Sequence, residues 1–342
     1  MAQPSKPCTW FAFFTAGLLF PLHMILGFGI LPTLVYFCFH GSYVATFALL
    51  TYLPVLFHPA QHRVPGWKSD TFWKWFDVRN SAISYNGEFA VHVTEAFDDQ
   101  QQYVVGVHPH GTMIFQRLFW LIPDLRQLFK RDYRMLCASV IFKVPVMREL
   151  ALLFGGVDAG KAMAARVLAS GLNLVLYPGG LDEANSVTHP RRVTLRTRTG
   201  FIRMAVERGL PVLPMFCFGE LDAVSAVPML PATLAKVLQK KLRISSTAFV
   251  GRWYTFIPRR VPFNLVVGRP IRTDKFPEGP ALDKEVLRVQ AAYKAEVSRI
   301  YNANKECFGY ADRELVFACD GGSPRAEEYA LAGGTGLKAK MG

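Results

Sequence analysis

Long apolar runs open this chain, and short ones punctuate the remainder. From Trp10 to Phe39 the only ionisable side chain besides Cys38 and Tyr36 is that of His23, and no Asp, Glu, Lys or Arg occurs. That run exceeds the roughly 20 apolar residues needed to cross a bilayer. It is also too long for the h-region of a cleaved signal peptide, and no convincing cleavage site follows it. After His40 and Gly41 a second apolar stretch runs from Ser42 to Phe57, short for a full span. Together the two predict a helical hairpin that dips into the membrane and returns, with Pro21, Gly27, Gly29 and Pro32 kinking its first arm. Lys6 before the pair and Arg63, Lys68 and Lys74 after it place both ends on the cytosolic side. A buried core hairpin of a soluble protein is the competing reading. Trp67, Phe72, Trp73, Trp75 and Phe76 then interleave with Lys68 and Lys74, a mixture suited to an interfacial collar at the lipid headgroups. A helix that packs its aromatics into the core competes with that collar.

Beyond Tyr103 short apolar runs alternate with helix-like stretches. Strands are predicted at 103–107, 134–139, 172–177, 211–218 and 262–267. Helices are predicted at 113–121, 146–154, 160–170 and 200–208, several of them stopped by glycine, and at 283–301 with Val286, Leu287, Ala291 and Val297 facing inward. The alternation predicts an α/β fold, a mostly parallel sheet flanked by helices, preceded by the N-terminal membrane-embedded helical hairpin. The expected divisions are a hairpin over 1–60, the collar and a linker over 61–100, a catalytic domain over 101–310 and a flexible tail over 311–342.

Composition supports a membrane-embedded part. Hydrophobic residues make up 51% of the 342, and the mean hydropathy is +0.18. The net charge of +13 favours an anionic partner such as a phospholipid surface or a phosphorylated substrate. Nucleic acid is excluded as the expected partner, because the chain has no zinc-finger spacing, basic heptad helix or RNA-binding aromatic signature. The six cysteines include no C-x-x-C pair and imply no disulfide framework, so the catalytic part is expected to face a reducing compartment.

Candidate chemistry gathers at predicted strand ends, where substrates of α/β enzymes lie. The run Tyr103-Val104-Val105-Gly106-Val107 stops at His108-Pro109-His110-Gly111, two imidazoles able to exchange a proton near neutral pH. The strand ending at Tyr177 leads into Pro178-Gly179-Gly180-Leu181-Asp182-Glu183. Its glycines allow N–H groups to approach a developing oxyanion, and its carboxylates could reach an imidazole if the two strands are neighbours. Arg191, Arg192, Arg196, Arg198 and Arg203 lead into a helix at Gly200-Phe201, an anion-binding arrangement rather than a merely solvated face. His23, His40, His58, His62, His92 and His189 carry no comparable pattern, no residue set has the spacing of a zinc site, and no P-loop or G-x-G-x-x-G occurs.

In order along the chain, these segments resemble the type-2 diacylglycerol acyltransferase family, which includes monoacylglycerol and wax-ester acyltransferases. The hairpin and the His108–Gly111 turn are joined by Phe142-Lys143-Val144-Pro145, Gly155-Gly156-Val157, Gly179-Gly180 with Glu183, Arg198-Thr199-Gly200-Phe201, Val212 to Glu220, and Gly268-Arg269-Pro270. Two departures stand out. Leu181-Asp182 replaces the small residues usual before the glutamate, and Met113 stands where the wider glycerolipid acyltransferase superfamily places an aspartate five positions after its histidine. The resemblance implies a glycerolipid acyltransferase-like domain that forms triacylglycerol from diacylglycerol and the co-substrate acyl-CoA, with no further cofactor and no metal. A general base from His108 or His110, oriented by Glu183, is implied as the catalytic group. Gly111, Gly179 and Gly180 are the candidate oxyanion donors, and Arg196 and Arg198 the candidate holders of the CoA phosphates. The implied location is the endoplasmic reticulum membrane with the catalytic domain facing the cytosol, or the lipid-droplet surface. Membrane lipid is the expected partner, and self-association is left open. Monoacylglycerol or a fatty alcohol as acceptor, and a non-catalytic lipid-binding protein of the same fold, are the alternatives.

Overall fold

The computed structural model describes residues 19–64, 66–184, 191–228 and 247–318, with side chains from Leu26 onward. The start of the hairpin's first arm, His189 and the tail beyond Ala318 lie outside the described residues. Helices α1 (Leu19–Phe39) and α2 (Tyr43–Phe57) pack on each other across the short turn at His40-Gly41-Ser42. Ser42 caps α2 by accepting the Ala45 N–H. The second arm ends at Phe57, as expected, and an extended His58 separates it from a 3₁₀ turn at Ala60–His62. By length and composition Tyr43–His62 is long and apolar enough to cross a membrane. Phe28, Phe39, Tyr43, Val44, Phe47, Leu50 and Phe57 are all exposed, so the hairpin is not a buried core element. It is tied to the rest of the chain at one end. Gly27 lies against the Pro145 carbonyl, Tyr52 donates to Glu149 Oε2 at 3.0 Å, and Arg148 donates to the His58 carbonyl at 2.7 Å.

The expected collar divides. Helix α3 (Asp70–Lys74) leaves Trp75 exposed. Trp73, however, donates to the Leu153 carbonyl at 2.9 Å and packs on Phe154. Lys68 is enclosed between Asp132 at 2.6 Å and Asp70 at 3.1 Å, so two carboxylates and not headgroups hold that charge. Helix α4 (Val78–Asn86) then leads into the sheet.

Among the described residues the main sheet has seven strands. In chain order they are β1 (Phe89–Val93), β2 (Val104–His108), β3 (Tyr133–Cys137), β4 (Gly156–Asp158) and β5 (Asn173–Leu176), with two more after β6 (Arg192–Leu195), which lies outside this sheet. Those two are β7 (Val212–Phe218) and β10 (Phe263–Val267), separated by β8 (Ser225–Pro228) and β9 (Thr247–Val250). The spatial order is β1-β10-β7-β2-β5-β3-β4, and every pairing is parallel except β10 with β7. All of β2, β5 and β7 is buried, as expected for central parallel strands covered on both faces.

One face is covered by α7 (Lys161–Ala169), α9 (Gly200–Arg208) and α11 (Pro280–Asn304), with Val104, Leu174 and Phe216 in that layer. The other is covered by a 3₁₀ helix, Phe115–Leu121, together with α4 and α5 (Pro123–Arg126), and takes in Val105, Val175 and Cys217. The helix expected over 113–121 is therefore 3₁₀ and starts later. Between these lie α6 (Met147–Leu153), α8 (Gly180–Ala184) and α10 (Glu220–Ala223). Antiparallel β8 and β9 form a separate ribbon. Strand β11 (Glu314–Phe317) pairs in parallel with β6, so the segment expected to begin a flexible tail is ordered at its start.

On α11 the buried stripe is Leu282, Val286, Val289, Tyr293, Val297 and Ile300, whereas Leu287 is 63% exposed and Ala291 is exposed, contrary to expectation. A 3.6-residue period places Val289, three residues after Val286, on the covered face and leaves Leu287 outside it. Replacing Ile300 by Ala is expected to cost about 2–5 kcal/mol by leaving a cavity. Leu287→Ala should change stability by no more than about 0.5 kcal/mol. Denaturant unfolding of the two variants in detergent checks the assignment, and equal losses would contradict it.

Candidate active site

The three central strands β2, β5 and β7 run parallel, and their C-terminal ends open onto one region. His108 ends β2, the Tyr177-Pro178-Gly179 turn follows β5, and Gly219-Glu220 follows β7. Because β2 and β5 are neighbours, the imidazole turn and the glycine–carboxylate turn lie side by side.

Glu183 joins them. Its buried carboxylate accepts the His110 N–H at 2.7 Å and the Arg196 N–H at 2.5 Å. Oε1 also lies 3.6 Å from His108 Nδ1, close enough for charge to act and just beyond a hydrogen bond. Burial alone would raise this carboxyl, but the His108 imidazole and the two N–H donors outweigh it and hold the group below its ordinary value. Gly179 makes the approach possible, since a Cβ there would run into the Glu183 carboxyl.

The two histidines face different layers. His108 is fully buried, its ring 5.8 Å from that of Tyr293 on α11, and neither ring nitrogen hydrogen-bonds to another described group. His110 lies on the other side, its ring 5.8 Å from that of Tyr177. Its Nδ1 is 2.7 Å from the Gly111 carbonyl, which can only accept, so Nδ1 carries the proton and Nε2 a free lone pair. Burial lowers the His110 pKa and favours the neutral ring.

A second carboxylate shapes the same turn. Glu220 accepts the N–H groups of Phe115 at 2.9 Å and Gln116 at 2.8 Å, and the Gln116 side chain donates to the Pro109 carbonyl. Burial pushes the Glu220 carboxyl up to about 8, against the pull of those N–H groups and of Arg117. Gly111 adopts φ +64°, and a Cβ there would also crowd Glu220.

Other expected residues have different partners. The Gly180 N–H is engaged within its own turn by the Tyr177 carbonyl at 3.1 Å, which removes it as an oxyanion donor. Arg198 is 59% exposed and paired with Asp182 at 2.7 Å, giving the additional carboxylate a partner. Arg203 pairs with Asp283. Arg196 meets the site through its backbone. Part of the basic run is strand β6, with Val193 and Leu195 buried and Arg192 and Thr194 exposed, an alternation visible in the residues themselves. Tyr293, Tyr177, Gln116, Arg117 and Glu220 are additional to the expected catalytic and binding set. Glu220 lies two residues past the end of β7, a signal that could have marked it, whereas Tyr293 arrives from a distant helix. Among the described residues no group of three or more His, Cys, Asp and Glu side chains is placed to hold a metal ion.

The chain has relatives of known name. A diacylglycerol O-acyltransferase 1 of Eremothecium gossypii is 27% identical over 229 residues, 63% of this chain and 50% of that protein. One of Saccharomyces cerevisiae is 27% identical over 260 residues, 69% of this chain and 58% of that protein. This chain thus spans little more than half the length of these two relatives. A 2-acylglycerol O-acyltransferase 1 of Bos taurus is 28% identical over 263 residues, 70% of this chain and 78% of that protein. The crystal structure of the 1-acyl-sn-glycerophosphate acyltransferase of Thermotoga maritima has a TM-score of 0.41 and 16% identity, covering 85% of this chain and 94% of that one. The diacylglycerol acyltransferase family model matches residues 36–318 of the 342, and the chain belongs to that family.

Proposed function

We propose that this chain is an acyl-CoA:diacylglycerol O-acyltransferase, forming triacylglycerol with His108 as general base and Glu183 as the carboxylate that orients it. The observation that carries the reading is the Glu183 carboxylate, 3.6 Å from His108 Nδ1 and bonded to the backbone N–H groups of His110 and Arg196. A carboxylate on that side keeps the proton on Nδ1 and leaves Nε2 to take one from the acceptor hydroxyl. The hydroxyl oxygen attacks the thioester carbonyl, the tetrahedral intermediate collapses, and the C–S bond breaks. CoA leaves as the thiolate and takes up the proton held by the imidazole. CoA thiolate is a good leaving group, so the reaction requires no covalent enzyme intermediate. The N–H groups of Gly111 and Gly179 are the donors assigned to the oxyanion. His110 fixes the turn through Gly111, and Arg198 with Arg196 receives the CoA phosphates. The exposed apolar hairpin embeds in the endoplasmic reticulum membrane or the lipid-droplet surface, with the catalytic domain on the cytosolic side. A monoacylglycerol or long-chain alcohol acceptor is the second reading, favoured by the bovine relative and by a mouse acyl-CoA wax alcohol acyltransferase 2 that is 27% identical over 242 residues.

Purified protein in nanodiscs, given labelled acyl-CoA with diacylglycerol, monoacylglycerol, lysophosphatidate or a long-chain alcohol, tests the assignment. Triacylglycerol is the expected main product, and product from lysophosphatidate alone would remove the substrate class. His108→Ala should lower kcat by about 10²–10⁴. Glu183→Ala should be similarly impaired, and full activity in His108→Ala would remove the mechanism.

Glu183 also predicts a pH effect. A carboxyl held below its ordinary value contributes stability that is present above 4.5 and is lost as pH falls through its folded value. The melting-temperature advantage of the native chain over Glu183→Gln should therefore be widest from pH 5 upward and shrink in more acidic solution. A gap independent of pH would contradict the ionised carboxylate.

Extraction of membranes with alkaline carbonate should leave the full chain in the pellet. Its release would argue against the embedded hairpin.

A further inference from the structure

Past the collar, the large hydrophobic side chains left exposed among the described residues are Val93, Val227, Trp253, Tyr254, Phe256 and Leu287. Three of the six stand together in the turn that follows β9, where Trp253 is 64% exposed, Tyr254 95% and Phe256 46%. The turn is built stiffly. At its neck the Gly251 N–H donates to the Thr255 carbonyl and the Arg252 N–H to the Ile257 carbonyl, both at 2.7 Å. Thr255 Oγ1 donates to the Arg252 carbonyl at 2.8 Å and accepts the Ile257 N–H at 3.1 Å. Trp253 and Tyr254 have φ of +52° and +58°, a conformation that bulky L residues rarely adopt. Backbone of that kind persists where its surroundings over-determine it. Those bonds do so here, and the Trp253 and Tyr254 rings are held outward. Phe256 leans on the ribbon, its ring 5.3 Å from that of the buried Phe249.

Charge accompanies the rings. Between Asp222 and Asp274 the chain has no acidic residue, and Arg252, Arg259 and Arg260 fall in that stretch. The Arg252 guanidinium lies 4.1 Å from the centre of the Trp253 ring. Arg259 turns inward and ties the base of the turn, donating to the Asp222 carbonyl at 3.2 Å and to Ser225 Oγ at 2.9 Å. Trp, Tyr and Arg side by side suit the headgroup layer of a bilayer, where rings meet acyl chains and a guanidinium meets phosphate. A protein partner matches less well. A specific interface covers about 800 Å² per partner, more than three partly exposed rings offer.

The tip is also joined to the elements that carry the hairpin. Tyr85 on α4 donates to the Pro258 carbonyl at 2.6 Å, and Arg260 donates to the Tyr85 carbonyl at 2.6 Å. Helix α4 begins three residues after the exposed Trp75. Trp73 in turn reaches the Leu153 carbonyl at the end of α6, and Glu149 of α6 receives the Tyr52 hydroxyl of α2. One connected set of contacts leads from the exposed apolar hairpin past Trp75 to the tip.

We infer that the turn over 252–256 is a second membrane contact, which sets Trp253, Tyr254 and Phe256 at the headgroup–acyl boundary of the bilayer that holds the hairpin, with Arg252 against headgroup phosphates. This contact is independent of acyl transfer and rests only on the membrane placement of the hairpin proposed above. It fastens the sheet domain to the surface at a second point and so restricts its tilt about the hairpin.

The test uses the full chain in phosphatidylcholine nanodiscs, with part of the lipid brominated near the headgroup end of its acyl chains. Subtracting the emission of Trp253→Phe from that of the native chain isolates Trp253 among the six tryptophans. Its emission is expected to fall severalfold in the brominated discs and to resist aqueous iodide. Replacing both Tyr254 and Phe256 by Ser should weaken the bromine quenching read at Trp253. Emission unchanged by bromine and quenched by iodide would leave the tip in water and overturn the contact. Protection from both quenchers would place protein on the tip, a second copy or another chain, and would equally overturn it. Should the double variant fail to fold by its thermal melt, the comparison of the native chain with Trp253→Phe alone decides. A chain that does not co-elute with the discs would remove the hairpin placement and the contact with it, a result distinct from an unquenched Trp253 in a chain that does.

Discussion

One buried carboxylate holds the centre of this protein together. Glu183 receives N–H groups from the turn after β2 and from the loop after β6, and its own helix begins at the turn after β5. Three segments distant in sequence thus converge on two oxygen atoms. Removing a carboxylate from water is costly, and it is tolerated here because the N–H donors and an imidazole take the place of the lost hydration. The same contacts that compensate for burial place the charge beside His108. Fold and electrostatics therefore meet at this residue.

Around that centre glycine does what no other residue could. Gly179 leaves room for the carboxyl, and Gly111 takes a positive φ where a side chain would also meet Glu220. Glu220 serves the other side of the turn by accepting two N–H groups from the start of the 3₁₀ helix, and Gln116 closes the loop onto Pro109. The imidazole turn is thus gripped from both layers of the fold, which restricts the rings to defined positions before any substrate arrives.

The hairpin and the sheet domain meet through a small polar seam. Arg148 is wholly buried, donates to the His58 carbonyl and lies 5.1 Å from the centre of the Trp67 ring, while Glu149 takes the Tyr52 hydroxyl. Apolar surface covers most of α1 and α2, so orientation there comes from a few directional bonds rather than from area alone. Those bonds join α2 and the chain just after it to α6, and α6 precedes the short strand β4 at the sheet edge.

Much of this architecture was legible in the residues. Central strands such as 103–107 and 211–218 announce themselves because burial on both faces demands unbroken apolar runs, and glycines at 171 and 209 end their helices where expected. The histidine turn, the glycine turn and Glu183 stood out because chemistry of that kind needs unusual residues at strand ends. What periodicity read locally could not decide was partnership. β1 and β11 are short strands whose place depends on distant neighbours, β10 joins the sheet antiparallel to β7, and Leu287 and Ala291 fell outside the covered stripe of α11. Basic residues read as an anion site proved partly strand and partly paired, because which carboxylate meets Arg198 or Arg203 is settled only when α8 and α11 come into place. The order of residues thus determined which segments bury themselves and which carry reactive groups, since both follow from local side-chain chemistry. Tertiary structure decided which of those groups meet, since a hydrogen bond or an ion pair acts only across a few ångströms that no sequence spacing specifies.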